Sequence, residues 1–160
     1  MSIIFDQFFL FFTFLGNYSI IWFLLAFFLA RSHKKKATQI LTLSTVAIAS
    51  SFILTEVLKL TFRIPRPLMH SVFCPVDYSF PSGHTATSFA AALILAHLDR
   101  KHAWLYVILA CLISYSRIYL NCHRPIDVVG GIVVAMVVGF ILILFAKNKR
   151  STLAKQHKTH

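Results

Sequence analysis

A chain of 160 residues with 58% apolar side chains, only 13% charged ones and 16 phenylalanines is long enough for one domain and too apolar for a soluble globule. Its formal net charge of +11 invites a nucleic-acid reading. The basic residues fall in short runs between apolar stretches, however, so an integral membrane protein with no nucleic-acid partner is expected instead.

A helix crossing a bilayer needs roughly 20 apolar residues. By that measure the chain reads as an all-α, polytopic transmembrane helix bundle of about five spans, at about 8–30, 38–62, 83–98, 103–121 and 125–146. The N-terminus lacks the basic start of a signal peptide, and Asp6 interrupts its first apolar residues. Residues 2–7 read either as an interfacial segment or as an extension of the first span. Next comes "RSHKKK" (31–36), then a second span carrying Glu56, which is expected to pair with Lys59 or Arg63. The stretch 63–84 holds four prolines and cannot be a continuous helix, so it crosses a surface to reach the third span. Within it Asp77 and Tyr78 read as a solvated turn. "DRKH" (99–102) separates the third span from the fourth, and "KNKRSTLAKQHKTH" (147–160) follows the fifth. All three basic runs fall on one side of a five-span arrangement, the cytoplasmic side by the positive-inside rule. Residues 1–160 are thus expected to form a single membrane-embedded domain, with 147–160 a basic cytoplasmic tail and the N-terminus outside.

Five basic residues remain for the other side: Lys59, Arg63, Arg66, Arg117 and Arg124, together with His84, His123 and Asp127. Snorkelling would explain any one of them, but a cluster with two histidines and a carboxylate points to a site. In "FPSGH" (80–84) Ser82 is expected to cap the third helix with its hydroxyl, and Gly83 to admit a ligand close to the backbone. The free N–H groups and positive end of that helix would then suit an anion such as phosphate. In "NCHRPID" (121–127) Pro125 fits the first turn of the fifth helix. There Asp127 stands four residues after His123, where a carboxylate can orient an imidazole and leave its other nitrogen nucleophilic. A metal site would need further ligands, for which only His84, His70 or Cys122 are candidates. Lys59, Arg66 and Arg117 can surround a group bearing several negative oxygens. Cys74 and Cys122 share the outer side, where a disulfide is permitted but not dictated, and Cys111 is expected to pack within the fourth span.

Taken in order, Lys59-x6-Arg66-Pro67, Pro81-Ser82-Gly83-His84 and Ser116-Arg117-x5-His123-x3-Asp127 resemble the three-part signature of type-2 phosphatidic acid phosphatases. The match covers 59–127, with full internal spacing in each part. The resemblance implies a metal-independent phosphatase without cofactor, embedded in the inner membrane of a bacterium, its active site at the non-cytoplasmic helix ends. By that likeness His123 attacks phosphorus and becomes a phosphohistidine, Asp127 orients it, and His84 protonates the leaving oxygen. Lys59, Arg66, Ser82, Gly83 and Arg117 would bind the phosphoryl oxygens. The implied substrate is a membrane lipid phosphomonoester or pyrophosphate of the undecaprenyl pyrophosphate, lipid A 1-phosphate or phosphatidylglycerol phosphate kind. Two other readings use the same cations: a lipid-to-lipid phosphotransferase, and a non-catalytic binder of anionic lipid.

Overall fold

The computed structural model describes residues 3–67 and 74–156, with side chains described as far as Asn148. Among the described residues the chain forms six α-helices: α1 (Ile3–Gly16), α2 (Ile20–Ser32), α3 (Ala37–Phe62), α4 (Gly83–Leu98), α5 (Ala103–Tyr119) and α6 (Pro125–Gln156). The first apolar stretch is therefore not one helix. It breaks at an elbow, Asn17–Ser19, where Tyr18 and Ser19 take left-handed backbone angles (φ 51° and 57°). Such angles cost a non-glycine residue of order 1–3 kcal/mol, so surrounding contacts must hold the elbow. Thr13 and Ser116 share a hydroxyl hydrogen bond of 2.8 Å before it, and Trp22 Nε1 donates to Ser88 Oγ at 3.0 Å after it. Residues 3–7 belong to α1 and extend the helical run.

Among the described residues, three helical stretches are long and apolar enough to cross a membrane: Ile3–Ser32, Lys34–Phe62 and Pro125–Asn148. That is fewer than the five expected. The difference lies in α4 and α5, whose 16 and 17 residues reach roughly 24–26 Å at 1.5 Å per residue, against about 30 Å of hydrocarbon. The helical run that starts at Pro125 continues to Gln156, so the start of the expected tail is helix, while 157–160 lie outside the described residues.

Helix α4 occupies the middle of the bundle, packed by α3, α5 and α6. Its sequence explains the placement: Ala86, Ala90, Ala91 and Ala92 are all buried and let neighbouring backbones come close. A Cβ on Gly131 of α6 would lie 2.7 Å from the Ser82 carbonyl oxygen, so only glycine allows this approach of α6 to the start of α4. The outer helices turn Phe11, Phe14, Phe28, Phe52, Phe140 and Phe145 outward, as a lipid-facing surface does. Cys111 is exposed on α5 rather than packed inside. At one end Leu43, Leu98, Leu142 and Ile143 meet around a buried core. The basic turns after α2 and α4 lie at this end. The described parts of the Pro-rich segment (63–67 and 74–82), the elbow and the α5–α6 turn gather at the other.

Candidate active site

Short-range rules set up the histidine first. Asn121 adopts a left-handed angle (φ 55°), and the Arg117 carbonyl accepts from the N–H of Cys122 and of His123 at 3.0 and 3.1 Å, turning the chain back over the end of α5. Pro125 then starts α6, and Asp127 Oδ2 accepts from the Arg124 N–H at 2.8 Å, closing the helix N-terminus with a side chain. The same oxygen accepts from the Ser79 hydroxyl, which leaves Asp127 with no exposed surface. His123 Nδ1 lies 3.5 Å from Asp127 Oδ2. That is an electrostatic contact rather than a formed hydrogen bond. His123 Nε2 points the other way, 3.1 Å from Arg66 Nη1.

A cavity of about 400 Å³ lies at this end of the bundle, within the range of small-molecule sites. Of the residues singled out from sequence, Lys59, Arg66, Gly83, His84 and His123 line it. Ser82, Arg117 and Asp127 stand behind the lining, each fully buried. Arg117 is the most telling of these, because none of its three guanidinium nitrogens has a hydrogen-bond partner among the described residues. A buried, unpartnered cation is costly unless an anion completes it. A Cβ on Gly83 would stand 3.8 Å from Lys59 Nζ, so the glycine keeps room beside that ammonium.

Ser82 departs from expectation. Its hydroxyl makes no cap hydrogen bond and instead accepts from the Thr85 hydroxyl at 3.0 Å. The first-turn N–H groups of α4 are thereby left without a side-chain cap, which suits an anion better than a capped end would. The Ser82 N–H donates to the Asp127 carbonyl at 2.9 Å, so the starts of α4 and α6 are tied together.

Sequence reasoning missed two residues here. Asp77, expected in a solvated turn, accepts hydrogen bonds from both Lys59 Nζ and Arg66 Nη2. Burial pushes its carboxyl up, but the hydrogen bonds and charges of Lys59 and Arg66 outweigh this and hold it below its ordinary value of 3.8. Lys59 also pairs with Glu56 at 2.8 Å, as expected. The second is Asn17 of the elbow, whose Oδ1 lies 2.9 Å from His84 Nε2. "GNYS" (16–19), four small or polar residues within an apolar run, was the available signal. For His123, burial holds the imidazole below its ordinary value of 6.5, with Arg66 and Arg117 adding to this and Asp127 opposing it. Cys74 and Cys122 are joined in a disulfide, Cα–Cα 5.3 Å, which anchors the Pro-rich segment beside His123. Cys122 is therefore no metal thiolate, and His70 lies outside the described residues.

Fold and site together define a helical membrane protein with a cation-lined cavity beside a histidine–aspartate pair. The chain belongs to the PAP2 superfamily, whose family model matches residues 39–151. It is 33% identical over 102 residues to the undecaprenyl-diphosphatase BcrC of Bacillus subtilis, covering 61% of this chain and 53% of that protein. It is 32% identical over 77 residues to the lipid A 4'-phosphatase of Porphyromonas gingivalis, covering 45% of this chain and 33% of that protein. The chain thus spans about half or less of the length of these curated relatives. Its fold is similar to that of the crystal structure of Aquifex aeolicus LpxE, with TM-score 0.74, 32% identity, and coverage of 89% of this chain and 87% of that one.

Proposed function

We propose that this protein is a membrane lipid phosphatase that cleaves a phosphomonoester or pyrophosphate of a lipid through a phosphohistidine, without metal. The observation that carries the reading is the unpartnered guanidinium of buried Arg117 behind a cavity that holds Lys59, Arg66, His84 and His123. In this reading the phosphoryl oxygens take hydrogen bonds from Arg117, Lys59, Arg66 and the first-turn N–H groups of α4. Arg66 turns from His123 Nε2 to the phosphate and frees the nitrogen lone pair. His123 Nε2 attacks phosphorus while Asp127 steadies the charge on the ring. The P–O bond to the lipid breaks as His84 gives that oxygen a proton. Water then attacks the phosphohistidine, yielding its proton to His84 and releasing phosphate, which restores both histidines.

A lipid substrate follows from the surroundings: a phosphate pocket at the ends of lipid-facing helices is reached from within a leaflet. The relatives' names, undecaprenyl-diphosphatase and lipid A 4'-phosphatase, belong to this class. The basic turns at the opposite end support an orientation with the site facing the periplasm or exterior and the end of α6 in the cytoplasm. The test is phosphate release from undecaprenyl diphosphate, lipid A and phosphatidylglycerol phosphate in detergent, in the presence of EDTA. Wild type should release phosphate from at least one, and His123→Ala from none. Equal turnover by the variant would refute the phosphohistidine step.

A further inference from the structure

We propose that Asn17 is a positioning residue for His84, fixing which imidazole nitrogen carries the transferable proton. This rests on the phosphatase reading, in which His84 is the acid. Asn17 Oδ1 lies 2.9 Å from His84 Nε2, and a carboxamide oxygen can only accept, so the Nε2 hydrogen is held there. The next carbon of the ring, Cδ2, faces the same elbow: a Cβ on Gly16 would stand 3.1 Å from it and 2.7 Å from Ile113 Cγ2. The elbow therefore takes up the Cδ2–Nε2 edge of the ring. Nδ1, on the opposite edge, is left as the atom that gives its proton to the leaving oxygen and regains one from water.

The local architecture is specific to this contact. Two consecutive non-glycine residues, Tyr18 and Ser19, are kept at left-handed angles, and the hydrogen bonds Thr13–Ser116 and Trp22–Ser88 clamp the chain on either side. Ser88 lies one turn along α4 from His84, so the clamp and the histidine share one helix. The charges facing His84 come from several elements. Lys59 of α3, Arg66 of the Pro-rich segment, Arg117 of α5 and His123 before α6 all bring cationic or titratable groups toward the ring. Glu56 and Asp77 line the same cavity on the Lys59 side. From the elbow, the Asn17 oxygen is the acceptor bonded directly to the ring, and it favours the protonated form that an acid requires.

The experiment combines kinetics with ¹⁵N spectra of the histidine rings, His84 being assigned through His84→Gln. Wild type should show the hydrogen of neutral His84 on Nε2. Asn17→Ala should mix the tautomers and lower kcat by roughly tenfold or more, with KM changed far less. Asn17→Asp, which keeps an acceptor and adds a negative charge, should recover turnover and move the alkaline limb of kcat to higher pH. A hydrogen on Nδ1 in wild type, or an Asn17→Ala enzyme with wild-type kcat and alkaline limb, overturns the assignment. If wild type turns over no lipid phosphate, the phosphatase reading falls, and the ring spectra still decide whether Asn17 holds His84.

Discussion

Asp77 occupies, from within the chain, the position toward Lys59 and Arg66 that a phosphoryl oxygen would need. Its side chain is 35% exposed, while those of Lys59 and Arg66 are 8% and 5% exposed. A hydrogen bond to a charged group contributes about 1.5–3 kcal/mol when sheltered, and solvent reduces an exposed ion pair to about 0–1 kcal/mol. For a carboxylate a third exposed we take about 1 kcal/mol as what an incoming phosphate must overcome, a factor of about 5 in affinity. Asp77→Ala should therefore tighten competitive inhibition by inorganic phosphate about fivefold, measured against hydrolysis of a lipid phosphate in detergent. Asp77→Asn, which keeps the shape and loses the charge, should fall between. Acidification is no substitute for the mutation, because this carboxyl is held below 3.8 and stays charged at any useful pH. A weaker inhibition constant for phosphate in both variants would refute the reasoning. It would mean that Asp77 holds the two cations in place for phosphate instead of competing with it.

His123 should stay neutral at lower pH than an ordinary histidine, since its value lies below 6.5. The acid limb of kcat/KM should accordingly have its midpoint below 6.5; a midpoint at or above that value would contradict this. The same shift has a stability sign. As pH falls below 6.5 the unfolded chain takes up a proton that the folded site refuses, so the thermal midpoint should drop across that window and level off below the folded value. Arg117→Met should abolish turnover yet raise the thermal midpoint in phosphate-free buffer by a few degrees, because replacing buried ionic groups with apolar ones often stabilises by about 1–4 kcal/mol. A lowered midpoint would show that the guanidinium is satisfied in the resting protein.

Local chemistry was legible in the sequence where it depends on spacing along one helix or turn. Pro125 and Asp127 start a helix by rules that act over three or four residues, and His123 falls into place beside them. Lys59 and Glu56 pair across one helical turn. The contacts of Asp77 with Lys59 and Arg66, and of Asn17 with His84, join residues 18, 11 and 67 positions apart. No periodicity encodes such separations; they depend on how the Pro-rich segment and the elbow fold back. The elbow itself was hidden because apolarity over 8–30 reads as one helix, although a polar tetrapeptide interrupts it. Ser82 was misjudged because a hydroxyl at a helix start has two competing partners, and Thr85 one turn on offered the other. Cys74 and Cys122 carried no distance in the sequence, and only the fold brings them together.

Helix α4 bears His84 in its first turn, and from Thr85 to Leu95 nearly all its residues are buried by protein. On the phosphatase reading, the helix that would cradle the phosphate is therefore walled off from surrounding lipid chains. Exposed apolar surface lies instead on other elements, and two of its side chains, Phe52 and Tyr18, also line the cavity. A lipid tail would then be met at the rim of the cavity by α3 and the elbow rather than by α4. The rim would set the choice of lipid, while the buried central helix would keep the phosphate site in shape.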